Sequence, residues 1–183
     1  MKILLFHCWG GDGRSCWSGW LADTFRARGI EILAPDFPET NSPSLENWLA
    51  TVRTHVKRFD PVDDWVLIGH SLGCPAILRL LETFGEKEKI KCAILVAGFA
   101  KDLGIGEIRN FVDKEFDWNK IRKKAGKFVV INSDNDPYID LGEGQRIAKL
   151  LHAEFIIEPG AGHINEGSGF TKYERLSEII KKI

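Results

Sequence analysis

Gly69-His70-Ser71-Leu72-Gly73 sets a serine between two glycines in the pattern G-x-S-x-G. Trp65-Val66-Leu67-Ile68 leads into it as a strand, and Pro75-Ala76-Ile77-Leu78 leads out as a helix. A strand–serine–helix turn holds its serine in a strained backbone conformation with the hydroxyl exposed. The flanking glycines omit Cβ atoms that would collide where strand and helix close on the turn. The Leu72 amide then stands at a helix N-terminus, where free N–H groups and the helix dipole favour negative charge. Such a serine is suited to attack a carbonyl, with the Leu72 N–H facing the oxyanion that develops. The competing reading is a glycine-rich turn whose serine only caps the helix.

A second oxyanion donor belongs on the loop after the first strand. His7-Cys8-Trp9-Gly10-Gly11 lies there, and the Trp9 amide is the candidate. Its G-G-x-G spacing fits neither a dinucleotide fingerprint nor a P-loop, which needs G-K-[ST]. The serine needs a base, and the base needs an orienting carboxylate, in the chain order Ser, Asp, His. Downstream stand Ser133-Asp134-Asn135-Asp136-Pro137-Tyr138-Ile139 and then Pro159-Gly160-Ala161-Gly162-His163. His163 is the histidine of a glycine-rich loop after a strand and is read as the base. His7 and His70 flank the oxyanion candidates as packing or hydrogen-bonding groups, and His55 and His152 fall on helices. Asp134 and Asp136 share strand parity, so alternation leaves the acid open between them.

These residues need a frame. Short apolar runs at Lys2–His7, Glu31–Ala34, Trp65–Gly69, Cys92–Ala97, Phe128–Asn132 and Glu154–Ile157 suit doubly buried strands. Between and after them run helical patterns. They are marked by Trp17, Leu21 and Phe25, by Leu45, Trp48 and Val52 behind an N-cap at Ser44, by Ile77 and Leu81, by Ile147 and Leu151, and by Tyr173, Leu176 and Ile180. This alternation predicts an α/β fold with a parallel sheet and helices on both faces, with the site at the C-terminal edge of the strands. The length of 183 residues suits one domain over 1–183. Residues 98–126 are longer than an ordinary connection and read as a small cap or a decorated crossover.

Composition narrows the function. Apolar residues are 44% and charged residues 28%, which argues against disorder, and a net charge of -1 gives no draw toward nucleic acid or an anionic membrane. The apolar opening Ile3–Phe6 is too short for a secretory or membrane segment. Cys8, Cys16, Cys74 and Cys92 form no C-x-x-C pair or metal spacing, which implies reduced thiols, a cytoplasmic setting and no metal site. Trp9, Phe99, Phe111, Phe116 and Trp118 are candidates to wall an apolar acyl pocket, against the alternative that they fill a core. The basic run from Lys120 to Lys127 reads as a solvated helix face.

The set His7–Gly11, Gly69–Gly73, Asp134–Ile139 and Gly162-His163 resembles the α/β-hydrolase superfamily, and more narrowly the small serine hydrolases of the retinoblastoma-binding protein 9 and YdeN type. The resemblance covers nearly the whole chain. It implies a doubly wound, parallel six-stranded sheet in the order 2-1-3-4-5-6 with little or no lid. It implies Ser71 as nucleophile, His163 as base, Asp136 as acid, and the Trp9 and Leu72 amides as oxyanion donors, with no cofactor. Cys8 departs from the glycine that many members carry there. The expected activity is hydrolysis of small or medium acyl esters through an acyl-enzyme. The alternatives are amide or peptide cleavage by the same groups, or a protein-binding module on a hydrolase scaffold.

Overall fold

The computed structural model describes residues 1–183. Six strands form one parallel sheet in the order β2-β1-β3-β4-β5-β6: β1 Lys2–Phe6, β2 Glu31–Leu33, β3 Trp65–His70, β4 Ile90–Val96, β5 Ala125–Ser133 and β6 Glu154–Glu158. The order reverses between β1 and β3, whose register pairs Phe6 with Gly69. The loops leaving these two strands therefore meet at the switch point where open α/β sheets place their sites.

Strand alternation divides the interior. Leu4 and Phe6 face one core, and Ile3 and Leu5 face the other. The larger core of 33 buried residues is covered by α2 (Leu45–His55), α3 (Gly73–Thr83), the short α4 (Trp118–Arg122) and α5 (Leu141–Leu151). The smaller core of 19 is covered by α1 (Ser18–Arg26) and α6 (Glu174–Lys181). Ser44 caps α2 through its hydroxyl, which accepts from Asn47 N. In α3 every residue from Gly73 to Leu81 is buried. Sheet, α2 and the β4–β5 connection enclose it, and this blurs the amphipathic pattern that marks an exposed helix.

The strand ending at Ser133 begins at Ala125, three residues before the apolar run that signalled it, because Ala125 and exposed Lys127 still pair with Ile90 and Cys92 of β4. The connection from Ala97 to Lys124 is a crossover that holds a 3₁₀ turn at Gly106–Phe111 and then α4. It crosses the C-terminal edge of the sheet before it returns to the helical layer. No helix is long and apolar enough to cross a membrane.

Candidate active site

Ser71 follows β3 directly and has φ +52°, the left-handed region that non-glycine residues avoid. Its amide donates to Val96 O at 2.9 Å and its carbonyl accepts from Cys74 N at 3.0 Å, so the turn is held from both sides. The glycines are required by close approach. A Cβ on Gly69 would lie 2.7 Å from Gly73 C, and one on Gly73 would lie 2.2 Å from Phe6 O.

The loops after β5 and β6 are laced residue by residue. Gly160 N donates to Asp134 Oδ1 at 2.7 Å, Ala161 N to Ser133 Oγ at 3.0 Å and Gly162 N to Asn135 Oδ1 at 2.7 Å. The next contact is between side chains: His163 Nδ1 stands 2.7 Å from Asp136 Oδ2. Asp136 is fully buried at its side chain, and its Oδ1 accepts from Tyr138 N and Ile139 N. Three donors to one carboxylate fix its direction. The pair left open by strand parity is thus separated by contact. Asp136 meets the imidazole, and Asp134 holds the loop that carries it.

The carboxylate can only accept, so His163 Nδ1 carries the proton and Nε2 is left with a lone pair. Ser71 and His163 line the same cavity of about 330 Å³. Ser71 Oγ is not hydrogen-bonded to the imidazole, and such contacts are often long until substrate is bound.

Two amides also border this cavity. The Cys8 carbonyl accepts from His7 Nδ1 at 2.8 Å and from Gly11 N at 3.2 Å. A trans peptide points its N–H opposite to its carbonyl, so these two bonds turn the Trp9 N–H away from the His7 ring. In the same way the Ser71 carbonyl, bound to Cys74 N, turns the Leu72 N–H back from the start of α3. Neither amide has an acceptor within the chain. His7 is itself held by Phe37 N, which donates to Nε2 at 3.0 Å, and burial lowers its pKa, so it stays neutral.

Of the five aromatics expected around the site, Trp9 and Phe99 line the cavity. Phe111, Phe116 and Trp118 do not, which corrects that expectation. Phe111 is fully buried edge-on against Trp48, and Phe116 lies under the Arg79 guanidinium, 3.7 Å from ring centroid to Cζ. Trp118 packs beside Phe116. Aromatic type signals burial, and here the burial is against α2 and α3. The cavity wall is instead Leu103, Ile105 and Ile108 from the β4–β5 connection, with Ile139 and exposed Tyr138 also lining it. Tyr138 stands edge-on to the His163 ring at 5.0 Å.

Cys8 and Cys16 are free thiols that also line the cavity, next to His70. Contact with the Cys8 thiol, working against burial and aided by His70, holds Cys16 below the ordinary thiol range and drives Cys8 upward. Cys74 and Cys92 are buried in the cores, where desolvation keeps them protonated. Nothing in the sequence spacing of Cys16 ties it to residue 8 or residue 70.

Sheet order, switch-point site and strand–serine–helix turn together define an α/β-hydrolase fold. The serine hydrolase family model matches residues 3–182, and the chain belongs to that family. It is similar to YdeN of Bacillus subtilis (strain 168), with 29% identity over 180 residues covering 98% of this chain and 94% of that protein. It is also similar to serine hydrolase RBBP9 of Rattus norvegicus, with 25% identity over 178 residues covering 95% and 90%. The crystal structure of the B. subtilis ydeN gene product superposes with a TM-score of 0.93, 28% identity and coverage of 99% and 97%.

Proposed function

We propose that the chain hydrolyses small or medium acyl esters through an acyl-enzyme on Ser71. The observation that carries this reading is the 2.7 Å contact between His163 Nδ1 and buried Asp136, on the wall of the cavity that Ser71 also lines. Asp136 holds the imidazole in the tautomer whose Nε2 can take a proton. His163 removes the Ser71 proton as Oγ attacks the acyl carbon. The Trp9 and Leu72 amides, unpaired in the free protein, receive the oxyanion without a reorganisation cost. His163 then protonates the leaving alcohol. Water enters by the same route and releases the acid.

The wall of Phe99, Leu103, Ile105 and Ile108 supports an apolar acyl group, and a cavity of about 330 Å³ limits its length. Amide cleavage by the same groups is the second reading, favoured by the Asp136–His163 pair that would protonate an amine. A protein-binding role on this scaffold leaves the paired base and the two open amides without a use.

The test is turnover of p-nitrophenyl acyl esters of graded chain length, with fluorophosphonate labelling in parallel. Expected are turnover that peaks at short to medium chains and labelling at Ser71 that Ser71→Ala abolishes. A folded protein that neither turns over ester nor takes the label contradicts the reading and favours the binding module.

A further inference from the structure

Beside Ser71 lies a second group of reactive atoms that ester hydrolysis does not use. Cys8 Sγ, Cys16 Sγ and a ring nitrogen of His70 all lie within 4.8 Å of one another. Cys8 and Cys16 stand on the β1–α1 loop and His70 ends β3, and the fold brings them to one point. A tetrahedral zinc, with Zn–S about 2.3 Å and Zn–N about 2.0–2.1 Å, sets its ligand atoms roughly 3.5–3.8 Å apart. The three atoms therefore need to close by about an ångström or less.

The surroundings are built to hold them. His70 Nε2 lies 3.0 Å from the His163 carbonyl, an acceptor only, so that nitrogen carries the proton and Nδ1 keeps its lone pair. This is the outer-shell bond that fixes tautomer and ring orientation in metal-ligating histidines. Cys16 has φ +56°, and its backbone N–H donates a hydrogen bond to Glu166 Oε1 at 2.8 Å, which also brings negative charge near the thiols. Cys8 Sγ lies over Gly11, where a Cβ would come within 2.9 Å of it. Two sulfurs and one imidazole are a soft donor set that suits zinc rather than magnesium or calcium.

We propose that Cys8, Cys16 and His70 bind one zinc-class divalent ion, whose open fourth position faces the cavity and whose presence slows attack by Ser71. The first half stands on the cluster alone; the second rests on the hydrolase reading. All three ligands line the cavity with Ser71. His70 precedes Ser71 in the chain, and Cys8 precedes Trp9, so closing the ligands on an ion disturbs both the nucleophile turn and one oxyanion amide.

The experiment titrates the full chain, kept reduced with a phosphine, with Co²⁺ and follows the thiolate-to-cobalt charge-transfer absorption. Expected is a band that saturates at one equivalent, is displaced by Zn²⁺, and is lost in Cys8→Ser and in Cys16→Ser. In the unaltered chain Zn²⁺ is expected to protect Cys8 and Cys16 from alkylation while Cys74 and Cys92 stay unreactive with or without metal, a readout that needs no variant. Absence of the band and of protection, or a band that survives both serine variants, overturns the site. In the same samples Zn²⁺ is expected to slow fluorophosphonate labelling of Ser71 about tenfold in the unaltered chain and not in Cys16→Ser. A cobalt band with labelling unchanged by Zn²⁺ overturns the second half. Failure to label Ser71 in metal-free protein sinks the hydrolase reading instead and leaves the cobalt result standing.

Discussion

The two walls of the cavity are made by different physics. On the side of β5 and β6, four consecutive residues of one loop each bond a residue of the next, ending at Asp136 and His163. On the side of β4, residues 98–112 present Phe99, Leu103, Ile105 and Ile108, and apolar contact sets no single distance. Directional bonds hold an imidazole and a carboxylate to within tenths of an ångström. Non-directional packing lets a wall change its shape at little cost. On the proposed function, chemistry falls to the rigid wall and substrate selection to the soft one.

Asp136→Asn strikes the rigid wall hardest. An amide in place of the carboxylate favours the wrong imidazole tautomer, and a fall of about 10³–10⁴-fold in turnover of a p-nitrophenyl ester is expected. Asp134→Asn loosens the loop without touching the ring and is expected to cost less than about tenfold. If the two variants fall equally, the division between holding and orienting is wrong.

Arg79→Met tests what anchors the soft wall. Arg79 is buried, pairs with Glu82 at 2.8 Å, and donates to the carbonyls of Phe111 at 3.0 Å, Glu115 at 3.3 Å and Lys114. Charge-assisted bonds of this kind contribute about 1.5–3 kcal/mol each when a buried partner is left unpaired. Expected by urea denaturation is a loss of at least about 2 kcal/mol, with faster hydrogen exchange confined to residues 105–118.

Leu103→Ala enlarges the soft wall alone. KM is expected to rise severalfold for medium-chain esters and to change little for acetate, with kcat nearly constant, because the lost contact is shared by ground and transition states. A fall in kcat with KM unchanged would place Leu103 on the chemical side of the comparison.

The smallest effect expected is at Glu143, which ties the soft wall to α5. Its Oε1 accepts from Ala100 N at 2.8 Å and both oxygens pair with Arg146. Burial alone would raise its pKa, but Arg146 and the Ala100 amide outweigh it and the net shift is downward. A folded value below the unfolded one, about 4.3, means stability that is present at neutral pH and lost as pH falls through the folded value. Urea midpoints at about pH 7 and about pH 3 are expected to differ less in Glu143→Gln than in the unaltered chain. An equal difference in the two would remove Glu143 from the account.

The strands themselves and the turn around Ser71 were legible in the sequence because they rest on local signals, whereas the sheet order came from the resemblance. A doubly buried strand writes a continuous apolar run, as in Trp65–Ile68, and a tight strand–helix approach demands glycine at residues 69 and 73. The positions of Asp136 and His163 at one sheet edge followed from strand ends. What was not legible depends on loop geometry. Nothing in the spacing of Cys8, Cys16 and His70 brings them together, and nothing in Phe111 or Phe116 says which of two buried surfaces each will meet. His7 reads from the sequence as a packing or hydrogen-bonding group. Its bond to the Cys8 carbonyl shows that it also turns the Trp9 amide, an effect carried by a peptide plane and not by any side-chain pattern.

The most direct test of the central claim is a crystal structure of the fluorophosphonate adduct. Phosphorus is expected on Ser71 Oγ, with its free oxygen within about 2.7–3.1 Å of both the Trp9 and Leu72 nitrogens and His163 Nε2 facing the serine oxygen. An adduct on another residue, or a phosphoryl oxygen turned away from both amides, contradicts it.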